Sequence, residues 1–596
     1  MVPAFASVKH APLGTATMLA ACRARGLSIK PVFAHMMFAA RIGVELYDRI
    51  ADTLPKRQPG ELVFRDHAYP PEVLATLPAV SSRPKILAYV EAAAPEVKAH
   101  LDEVVEAIVQ VNPRIVGITN MFQQNMASLA IARRVRAALP DALIVMGGAN
   151  VAGVMAKGLA QVFDCIDYFF DGEADTVFPD FCEAYLTRGE RPEGRIVPCP
   201  AVTTMEVVPT PDFSDYKAAV SEYHAAGLLP PPRYVTYESS RGCWWGAKHH
   251  CTFCGLNQNG MSFRDKSPER VLRELTVLSE EWPGTVIRTA DNIMPTHFFA
   301  DVLPQLAERR FPARMFYEVK SNLKAEQIAL MMRAGVYSIQ PGIESLSTPV
   351  LKLMRKGVSA HQNVSLLRMC AAYGMKVGWN LLFGFPGETV QNYRETIALL
   401  RDIPHLQPPD GFVQIMIDRF SPNFDDHAAM GIAVLKPFDV YRGLYPKDAP
   451  LDDIAFHFYG EYTTALLDDT VLLEALTAAV ERWRKLWQNR KERPKLTAHA
   501  WPSGNILVRD TRPDSVEKLT VLPPAAGEAL VYLEKPRTRE SLPAHIEAHV
   551  DLLLARRFVI SHEGLLMSVV VRKMSADGKD WAVEPRSAPA PLAAAM

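Results

Sequence analysis

The fold of this chain is decided by the stretch YVTYESSRGCWWGAKHHCTFCGLN, residues 234–257. Its β-branched and aromatic start predicts a strand, and the loop that follows carries Cys243, Cys251 and Cys254. A disulfide pairs two thiols and a structural zinc site takes four ligands, so three clustered cysteines need another explanation. Two explanations stay open from the residues alone. One is a zinc site completed by a neighbouring histidine, and the other is a [4Fe-4S] cluster with one iron left open.

The sequence after this strand alternates between further strands and amphipathic helices. The alternation predicts a partial or full α/β barrel over residues 233–430, in which chemistry sits at the carboxyl ends of the strands. The candidate strands are YVTYES, TVIRTADN, MFYEVKSN, SIQPGIES, KVGWNLLFGFP and FVQIMID. The cysteine cluster follows the first of them, which places it at the end of the barrel where function is expected.

The sequence before this strand predicts a second α/β domain. Between about 85 and 185, apolar runs such as PKILAYV, RIVGITN and DALIVMGGAN alternate with helical patterns, which predicts a doubly wound parallel sheet within residues 1–200. Residues 201–232 are rich in proline and are predicted to be an irregular linker.

The sequence after the barrel, residues 431–596, predicts a mixed α+β region. Within it, residues 517–573 predict three helices and a small hairpin, a winged-helix-like pattern without a basic recognition helix. Peptide docking is therefore favoured over DNA binding for this region. The final ten residues, SAPAPLAAAM, have the composition of a disordered tail.

Composition limits the function further. The chain has 596 residues, a formal net charge of -1 and 22% charged residues, so it shows no electrostatic bias toward nucleic acid or anionic membrane. Its 8 cysteines, five of them scattered in apolar surroundings, indicate a reducing compartment and no disulfide framework. We find neither a signal peptide nor an apolar run of about 18 residues, so a cytoplasmic protein is predicted.

The cysteine spacing resembles that of a known superfamily. Cys243-x7-Cys251-x2-Cys254 resembles the CxxxCxxC motif of the radical S-adenosylmethionine (radical SAM) enzymes, with a longer first gap that also occurs in their cobalamin-binding branch. The text RGCWWGAKHHCTFCGLNQNGMSFRDKSPERVLREL resembles, more narrowly, the radical SAM proteins of ribosomal-peptide maturation. The resemblance implies that the three thiolates hold a [4Fe-4S] cluster and that S-adenosylmethionine chelates the open iron.

The resemblance also implies contacts to S-adenosylmethionine at the barrel strand ends. Glu344, in PGIESLS, would bind the ribose or the amino group, although it could instead cap the next helix. Arg419 would meet the substrate or form a structural ion pair. The residues expected to contact S-adenosylmethionine are Phe253, Asp291, Asn292, Lys320, Asn322, Gln340, Glu344, Ser345 and Asn380.

The first domain is similar to a cobalamin-binding Rossmann-like domain. The similarity rests on GITNMFQQNMASLAIARRVRAALPDALIVMGGAN, which has a short turn after one strand and a diglycine after the next. The expected cobalamin contacts are Thr119, Asn120, Met121, Gly147, Gly148, Asn150 and Glu173. The motif DxHxxG is absent, so His10 in KHAPLG is not assigned as a cobalt ligand. A parallel-sheet domain without a ligand is the alternative.

Together these features imply a function. The resemblance implies a cobalamin-dependent radical SAM enzyme, a C-methyltransferase that uses methylcobalamin on an unactivated carbon of a ribosomally synthesised precursor peptide. Its electron donor would be a flavodoxin or a ferredoxin. One alternative is a radical SAM peptide cyclase or epimerase, and another is a non-catalytic metal- or cobalamin-binding protein.

Overall fold

The structure is a computed structural model that describes residues 1–53, 56–80, 82–256, 258, 260–501 and 503–573. The chain divides into two compact units, one of residues 1–292 and 416–461 and the other of residues 293–415 and 462–596. The four-part division into residues 1–200, 201–232, 233–430 and 431–596 stays a prediction. The predicted disordered tail lies outside the described residues.

The strands are listed in chain order. They are β1 (Ile115–Thr119), β2 (Leu143–Gly147), β3 (Tyr168–Gly172), β4 (Ile196–Cys199), β5 (Tyr234–Tyr237), β6 (Ser240–Arg241), β7 (Arg264–Asp265), β8 (Val286–Thr289), β9 (Met315–Glu318), β10 (Val336–Gln340), β11 (Lys376–Val377), β12 (Asn380–Phe383), β13 (Gly411–Gln414), β14 (Ile417–Asp418), β15 (Leu435–Pro437), β16 (His457–Gly460), β17 (Leu496–Ala500), β18 (Ile506–Asp510), β19 (Leu519–Leu522), β20 (Val559–His562), β21 (Leu565–Ser568) and β22 (Val571–Arg572).

The α-helices follow the same order. They are α1 (Leu13–Arg23), α2 (Ala34–Ile42), α3 (Val44–Ala51), α4 (Pro59–Ala68), α5 (Pro71–Leu74), α6 (Pro84–Ala93), α7 (Val97–Val109), α8 (Asn125–Ala138), α9 (Val154–Val162), α10 (Val177–Arg188), α11 (Ser214–Ala225), α12 (Gly246–His249), α13 (Pro268–Glu281), α14 (Phe298–Asp301), α15 (Leu303–Glu308), α16 (Ala325–Arg333), α17 (Thr348–Leu353), α18 (Ala360–Tyr373), α19 (Val390–Leu400), α20 (Pro422–Asp425), α21 (Asp439–Leu444), α22 (Leu451–Ile454), α23 (Ala465–Asp468), α24 (Thr470–Gln488), α25 (Pro524–Tyr532), α26 (Ala544–Glu547) and α27 (Val550–Ala555). Short 3₁₀ turns span Ala94–Glu96, Met205–Val207 and Arg539–Ser541.

A parallel sheet in the first unit confirms the α/β prediction for the N-terminal region. The strands β1, β2, β3 and β4 pair in sequential order, with Ile115 opposite Leu143 and Thr119 opposite Gly147. Beyond β1 the order reverses: the Met1 amino group donates to the Gly117 carbonyl at 2.8 Å, the Thr119 N–H donates to the Met1 carbonyl at 3.1 Å, and Val2 forms a parallel bridge with Phe33 on its other side. This reversal is the one that a doubly wound sheet requires, so that prediction is confirmed. Helix α10 packs on the face that presents Val145 and Phe170.

Two N-terminal predictions were wrong. The run PKILAYV forms part of α6 and not a strand, since the proline fits the first turn of a helix and the residues after it continue the helix to Ala93. The predicted irregular linker contains the helix α11, which begins after the last proline of the VVPTPDF segment. Prolines interrupt the regular structure before and after α11, but the stretch between them is free of proline and forms the helix.

The first strand of the predicted barrel lies in the first unit, where it pairs with the second strand of the barrel. Strand β5 runs parallel to β8, with Tyr234 opposite Val286 and Tyr237 opposite Thr289. The short antiparallel pair β6 and β7 then brackets the cysteine-bearing segment. A small antiparallel sheet of β14, β16 and β15 completes this part of the unit.

The second unit contains the later barrel strands. Strand β10 is parallel to both β9 and β11, and β12 is parallel to β13. The helices α16, α18 and α19 lie between these strands, as the predicted alternation of strands and helices requires, and Ser359 and Gln362 form a capping box that begins α18. All six candidate strands of the predicted barrel are therefore confirmed as strands.

The end of the second unit combines a sheet with short helices. Strands β17, β18 and β19 are antiparallel neighbours, and β22 pairs with β17 in parallel. The three predicted helices are α25, α26 and α27, and the predicted hairpin is formed by β20 and β21. Among the described residues, no helix is both long enough and apolar enough to cross a membrane.

Candidate functional site

The cysteine loop, which we define as residues 242–256, joins β6 to β7. Its three thiols are half-exposed, whereas the other five cysteines of the chain are buried. The Gly246 N–H donates to Cys243 Sγ at 3.3 Å, and the Cys254 N–H donates to the Cys251 carbonyl at 3.1 Å. Partly exposed thiols with a backbone donor to sulfur are suited to soft metal ions and clusters, because hydrogen bonds to the ligand sulfurs tune them.

Close backbone packing holds this loop in place. A Cβ atom on Gly255 would lie 2.2 Å from the Arg419 carbonyl oxygen, so no side chain fits at that position. The Asn423 N–H donates to the Thr252 carbonyl at 2.8 Å. At the start of the loop, Gly242 has a φ of +78°, and a Cβ there would lie 2.1 Å from the Ser262 carbonyl oxygen. The loop is therefore fixed by contacts at both of its ends.

The histidines beside the cysteines are engaged elsewhere. The His250 Nε2 atom lies 2.8 Å from the Cys254 carbonyl oxygen, and the His249 ring packs 4.5 Å from that of Trp245. Across the described part of the chain, no three His, Cys, Asp or Glu side chains converge as they would around a bound metal. The three thiols of the loop are included in this finding, so the fit to an iron–sulfur cluster rests on the donor set alone, three soft thiols in one loop.

The second feature is the diglycine platform, which we define as Thr119–Met121, Gly147–Gly148 and Asn150. The Asn120 N–H donates to the Gly147 carbonyl at 2.7 Å, and the Asn150 N–H donates to the Asn120 carbonyl at 3.1 Å. Gly148 has a φ of +114°, and a Cβ atom there would lie 2.5 Å from the Asn120 carbonyl oxygen. The structure thus brings the predicted turn and the predicted diglycine into direct contact at the carboxyl edge of the sheet.

A cavity of about 720 Å³ opens beside this platform and continues along one face of the sheet. Its lining includes Thr119, Gly147 and Gly148 of the platform and Gly117 of β1. Apolar residues of α1 and α10 also line it, chiefly Leu13, Met18, Leu19, Phe178 and Leu186. A space of this size, lined by apolar side chains and a few polar groups, suits one large organic ligand.

A network of charged side chains forms part of the lining of the cavity. The Arg241 guanidinium binds Asp175 at 2.7 Å, Glu238 at 2.9 Å and Glu173 at 3.1 Å, and it lines the cavity. Arg264 adds a second bond to Glu173 at 2.9 Å. Burial opposes ionisation of Glu173, but the hydrogen bonds from Arg264 and from a backbone N–H outweigh it and lower its pKa. Glu173, predicted as a cobalamin contact, is thus a charged partner of two arginines.

The carboxylate of Asp291 closes the turn after β5. Asp291 is 1% exposed, and its Oδ1 accepts the Ser239 N–H at 2.7 Å while its Oδ2 accepts the Ser239 hydroxyl. Burial raises the pKa of Asp291 to about 6. Its neighbour Asn292 is half-buried, as are Phe253 and its flanking cysteines.

Arg419 makes contacts within the protein. It is 5% exposed, its Nε donates to the Ala455 carbonyl at 2.8 Å, and another of its N–H groups donates to the Asp452 carbonyl. The guanidinium lies over the rings of Phe424 and Phe458, at 4.9 and 5.1 Å from their centroids. These contacts support the structural role that the sequence left open for Arg419, although with carbonyls and rings in place of an ion pair.

In the second unit, Glu344 follows β10 with a left-handed backbone. Its φ is +57°, its carbonyl accepts the Leu382 N–H at 2.8 Å, and its carboxylate lies 3.6 Å from Lys356 Nζ. The alternative role for Glu344, capping the next helix, was wrong. Glu563 supplies that cap, accepting the Thr348 N–H at the start of α17 at 2.7 Å.

The remaining predicted contacts of the second unit differ in exposure. Lys320 Nζ donates to the Lys356 carbonyl, and the buried Ser345 hydroxyl accepts the Ser347 N–H at 3.1 Å. Asn322 and Asn380 are exposed, and Gln340 is half-buried. The predicted contacts thus include two exposed amides.

Sequence analysis missed two groups that the structure singles out. One is Arg241, for which the acidic text DGEAD and the position two residues before Cys243 were usable signals. The other is the pair of Asp418 and His457, which lie 2.7 Å apart but 39 positions apart in the chain. No local pattern marks that pair, so only the fold reveals it.

A comparison with known protein families covers the cysteine loop and most of the barrel strands that follow it. Residues 237–400 match the family model described as the radical SAM superfamily, and this part of the chain is a radical SAM domain. The match confirms the resemblance inferred from the cysteine spacing. The narrower resemblance to ribosomal-peptide maturation proteins stays a prediction.

Curated relatives share part of their length with the chain. An uncharacterized methyltransferase of Pyrococcus horikoshii is 24% identical over 51% of this chain and 68% of its own length. The anaerobic magnesium-protoporphyrin IX monomethyl ester cyclase of Rubrivivax gelatinosus is 24% identical over 50% of this chain and 56% of its own. The ribosomal protein uS12 methylthiotransferase RimO of Protochlamydia amoebophila is 23% identical over 31% of this chain and 43% of its own.

Two solved structures are similar at low identity. The cobalamin-dependent S-adenosylmethionine radical enzyme OxsB, with aqua-cobalamin and S-adenosylmethionine bound, is 16% identical, with a TM-score of 0.49 over 66% of this chain and 60% of its own. The radical S-adenosylmethionine methyltransferase TsrM of Kitasatospora setae is 15% identical, with a TM-score of 0.49 over 64% of this chain and 82% of its own.

Proposed function

We propose that this chain is a cobalamin-dependent radical SAM enzyme that methylates an unactivated carbon of a ribosomally synthesised precursor peptide. The observation that carries the proposal is a juxtaposition within the first unit. Arg241 lines the large cavity and precedes Cys243, the first cysteine of the radical SAM domain, by two residues. One ion-pair network therefore links the strand before the cysteine loop to the lining of the cavity.

The cysteine loop would hold the cluster. When bound, a [4Fe-4S] cluster with S-adenosylmethionine on its open iron supplies a 5'-deoxyadenosyl radical that removes hydrogen from carbon. The chain contributes the thiolates of Cys243, Cys251 and Cys254 and the Gly246 N–H, which donates to Cys243 Sγ. Trp244 and Trp245 add apolar bulk that limits the access of water to these sulfurs.

The platform and the cavity would hold the cobalamin. When bound, methylcobalamin supplies the methyl group. The backbone of Gly147 and Gly148 allows close approach of the corrin, and the apolar wall of α1 and α10 takes the bulky tail of the ligand. Met121, which is 50% exposed on the platform, presents a thioether and no imidazole to that approach.

The contacts to S-adenosylmethionine belong to the same proposal. The exposed amides of Asn322 and Asn380 can donate to and accept from its polar groups, and Glu344 offers a carboxylate close to a lysine. The buried carboxylate of Asp291 supports the strand end from behind, because Ser239 already donates to both of its oxygens.

A peptide substrate is supported by two observations. Residues 241–275 resemble ribosomal-peptide maturation proteins, and several relatives are ribosomal protein methylthiotransferases by name. The proposal includes a flavodoxin or ferredoxin as the electron donor and a cytoplasmic location. A radical cyclase is the second candidate, because one relative is a cyclase by name.

The experiment is an anaerobic reconstitution with iron, sulfide and cobalamin. Wild-type protein is compared with the Cys243→Ala, Cys251→Ala, Cys254→Ala triple variant, and Cys165→Ala, which removes a buried thiol of the same unit, is the matched control. We expect about four irons and one corrin per wild-type and control chain, and the loss of iron alone in the triple variant. Iron that is retained without the three thiols would contradict the proposal.

The product then separates the candidate reactions. A precursor peptide encoded beside the gene is incubated with S-adenosylmethionine and a reductant, and its mass is measured. Methyl transfer adds one methylene unit, cyclisation removes two hydrogens, and epimerisation leaves the mass unchanged. An unchanged peptide with an unchanged stereocentre, despite cleavage of S-adenosylmethionine, would rule out this peptide class as substrate.

A further inference from the structure

A histidine in the first unit is oriented by an aspartate and enclosed by aromatic rings. His457 is 4% exposed, and its Nδ1 lies 2.7 Å from Asp418 Oδ1. The ring stacks between Phe122 and Phe438, with centroids 6.0 and 5.8 Å away and interplanar angles of 20° and 17°. Phe456 meets it edge-on at 4.9 Å. The imidazole therefore has one orientation.

The other ring nitrogen is buried without a partner. The Nε2 atom of His457 has no hydrogen-bond partner among the described residues. An ionised carboxylate accepts hydrogen bonds and does not donate them, so Asp418 fixes the proton of the neutral ring on Nδ1. Nε2 is then a lone-pair acceptor, and a buried acceptor without a partner destabilises the fold. The cost arises at the place where His457 borders empty space.

That place is the wall of a second, small cavity of about 30 Å³. We name it the histidine pocket, and His457, Glu61, Phe122 and Asn150 are among its lining residues. One buried water needs about 10–15 Å³, so the pocket admits the end of a short polar group. Phe122 directly follows the diglycine platform and Asn150 belongs to it, so the pocket lies beside the predicted corrin site.

Acceptor atoms of Asn150, Glu61 and His457 are among the polar groups of the pocket, which also include Gln58, Gln123, Asn125 and Tyr441. The Asn150 amide N–H groups are directed to the Met121 carbonyl at 2.6 Å and to other side-chain oxygens, which leaves its own oxygen for the pocket. Glu61 adds carboxylate oxygens that accept the Asn125 and Met126 N–H groups at 3.0 and 2.7 Å. A guest carboxylate would face these oxygens and the Nε2 lone pair, whereas an amide N–H₂ would satisfy them.

We infer that the histidine pocket binds one primary carboxamide arm of the corrin, with His457 Nε2 accepting its N–H. This inference rests on the proposed function, since it takes cobalamin as the ligand of the platform. Primary carboxamides surround the corrin ring, and an arm that enters the pocket fixes the rotation of the ring over the platform. Asp418 acts as a positioning residue that keeps Nε2 an acceptor.

The test measures equilibrium binding of hydroxocobalamin to the full chain without cluster, by its absorbance, alongside cobalamins in which single carboxamides are hydrolysed to carboxylates. For wild type we expect one such derivative to bind at least about tenfold more weakly than the parent, which corresponds to one hydrogen bond. His457→Phe should bind the parent about tenfold more weakly and lose this discrimination. His35→Phe is the matched control, because His35 is a buried histidine that lines neither cavity.

A second variant tests the polarity directly. In Asp418→Asn the amide N–H can donate to Nδ1, which moves the ring proton to Nε2 and makes that atom a donor. The discriminated carboxylate derivative should then bind at least as well as the parent. Equal binding of all derivatives to wild type, or unchanged preference in both variants, would overturn the inference. Absence of any corrin binding to wild type would instead overturn the proposed function as well.

Discussion

The cysteine loop and the diglycine platform lie in the same unit but are built in opposite ways. The loop presents three half-exposed thiols, so its chemistry depends on side chains. Tight backbone packing at Gly242 and Gly255 holds these side chains in place. The platform presents mainly backbone, and Gly148 lets the Asn120 carbonyl approach where a Cβ would be only 2.5 Å away. The difference teaches that a site built from thiol ligands depends on which side chains are present. A flat surface for a large ring depends instead on glycines, where a side chain is absent.

Arg241 connects the two regions, so its removal should have the largest effect. In Arg241→Met the buried Asp175 and the half-buried Glu173 and Glu238 lose their common partner, and breaking a buried ion pair costs about 3–5 kcal/mol. We expect the free energy of unfolding to fall by that amount and both iron and corrin to be lost on reconstitution. A variant that keeps both at wild-type content would show that the two regions are independent.

Gly255→Ala should break the cysteine loop alone. Its Cβ would lie 2.2 Å from the Arg419 carbonyl, so the loop must shift, at a cost of about 1–3 kcal/mol. Iron per chain should drop severalfold while corrin binding stays within about twofold of wild type. Gly260→Ala in the same segment is the matched control, because it has no atom within 4 Å of its Cβ despite a φ of +94°. Iron loss in both variants would refute the packing argument.

Gly148→Ala should break the platform alone. The clash with the Asn120 carbonyl and the positive φ together should lower stability by about 2–3 kcal/mol and weaken corrin binding at least about tenfold. Iron content should not change. Gly189→Ala is the control, since it has a φ of +69° with no atom within 4 Å and should cost about 1 kcal/mol without affecting corrin. Calorimetric titration with hydroxocobalamin distinguishes the two variants.

The effect expected at Glu61 depends on pH and leaves the iron content unchanged. Burial raises its pKa from 4.5 to about 7, so the folded chain binds this proton more tightly than the unfolded chain. The resulting stabilisation is complete below pH 4.5 and is lost as the pH rises through about 7, with a magnitude on the order of 3 kcal/mol. Denaturant unfolding of wild type and Glu61→Gln measures the difference across this window.

The outcome for Glu61 also bears on the comparison. Glu61 accepts the N–H groups that begin α8, directly after the platform, so the variant should alter the pH profile without changing iron content. A wild-type profile that is as flat as that of Glu61→Gln would show that this carboxyl does not take up a proton on folding.

The resemblance to the radical SAM enzymes was visible in the sequence because the three cysteines lie within twelve consecutive residues, and such a cluster is a local feature. The six barrel strands were also predicted, since short runs rich in β-branched and aromatic residues alternate with amphipathic helices along this part of the chain. The prediction failed at PKILAYV, where the same apolar run fits a helix or a strand and a preceding proline starts either.

The candidate site was only partly predictable for a related reason. Thr119 to Met121 and the diglycine were found from their order, and the structure brings them together. The partners of three other site residues were not found from the sequence, because they come from distant parts of the chain. Glu173 pairs with Arg241, Asp291 accepts from Ser239, and Arg419 donates to the Ala455 carbonyl. A side chain at a strand end can face a ligand or a neighbour, and only three-dimensional contacts decide which.

The helix α11 has a consequence for how such proteins can be recombined. Arg23 of α1 pairs with Asp215 at 2.6 Å and with Asp212, and the Asp212 N–H donates to the Ala16 carbonyl at 3.0 Å. The predicted linker therefore stabilises α1, which lines the large cavity. A chimera joined at residue 200 would remove these contacts from α1, so an exchangeable domain must include residues 201–232.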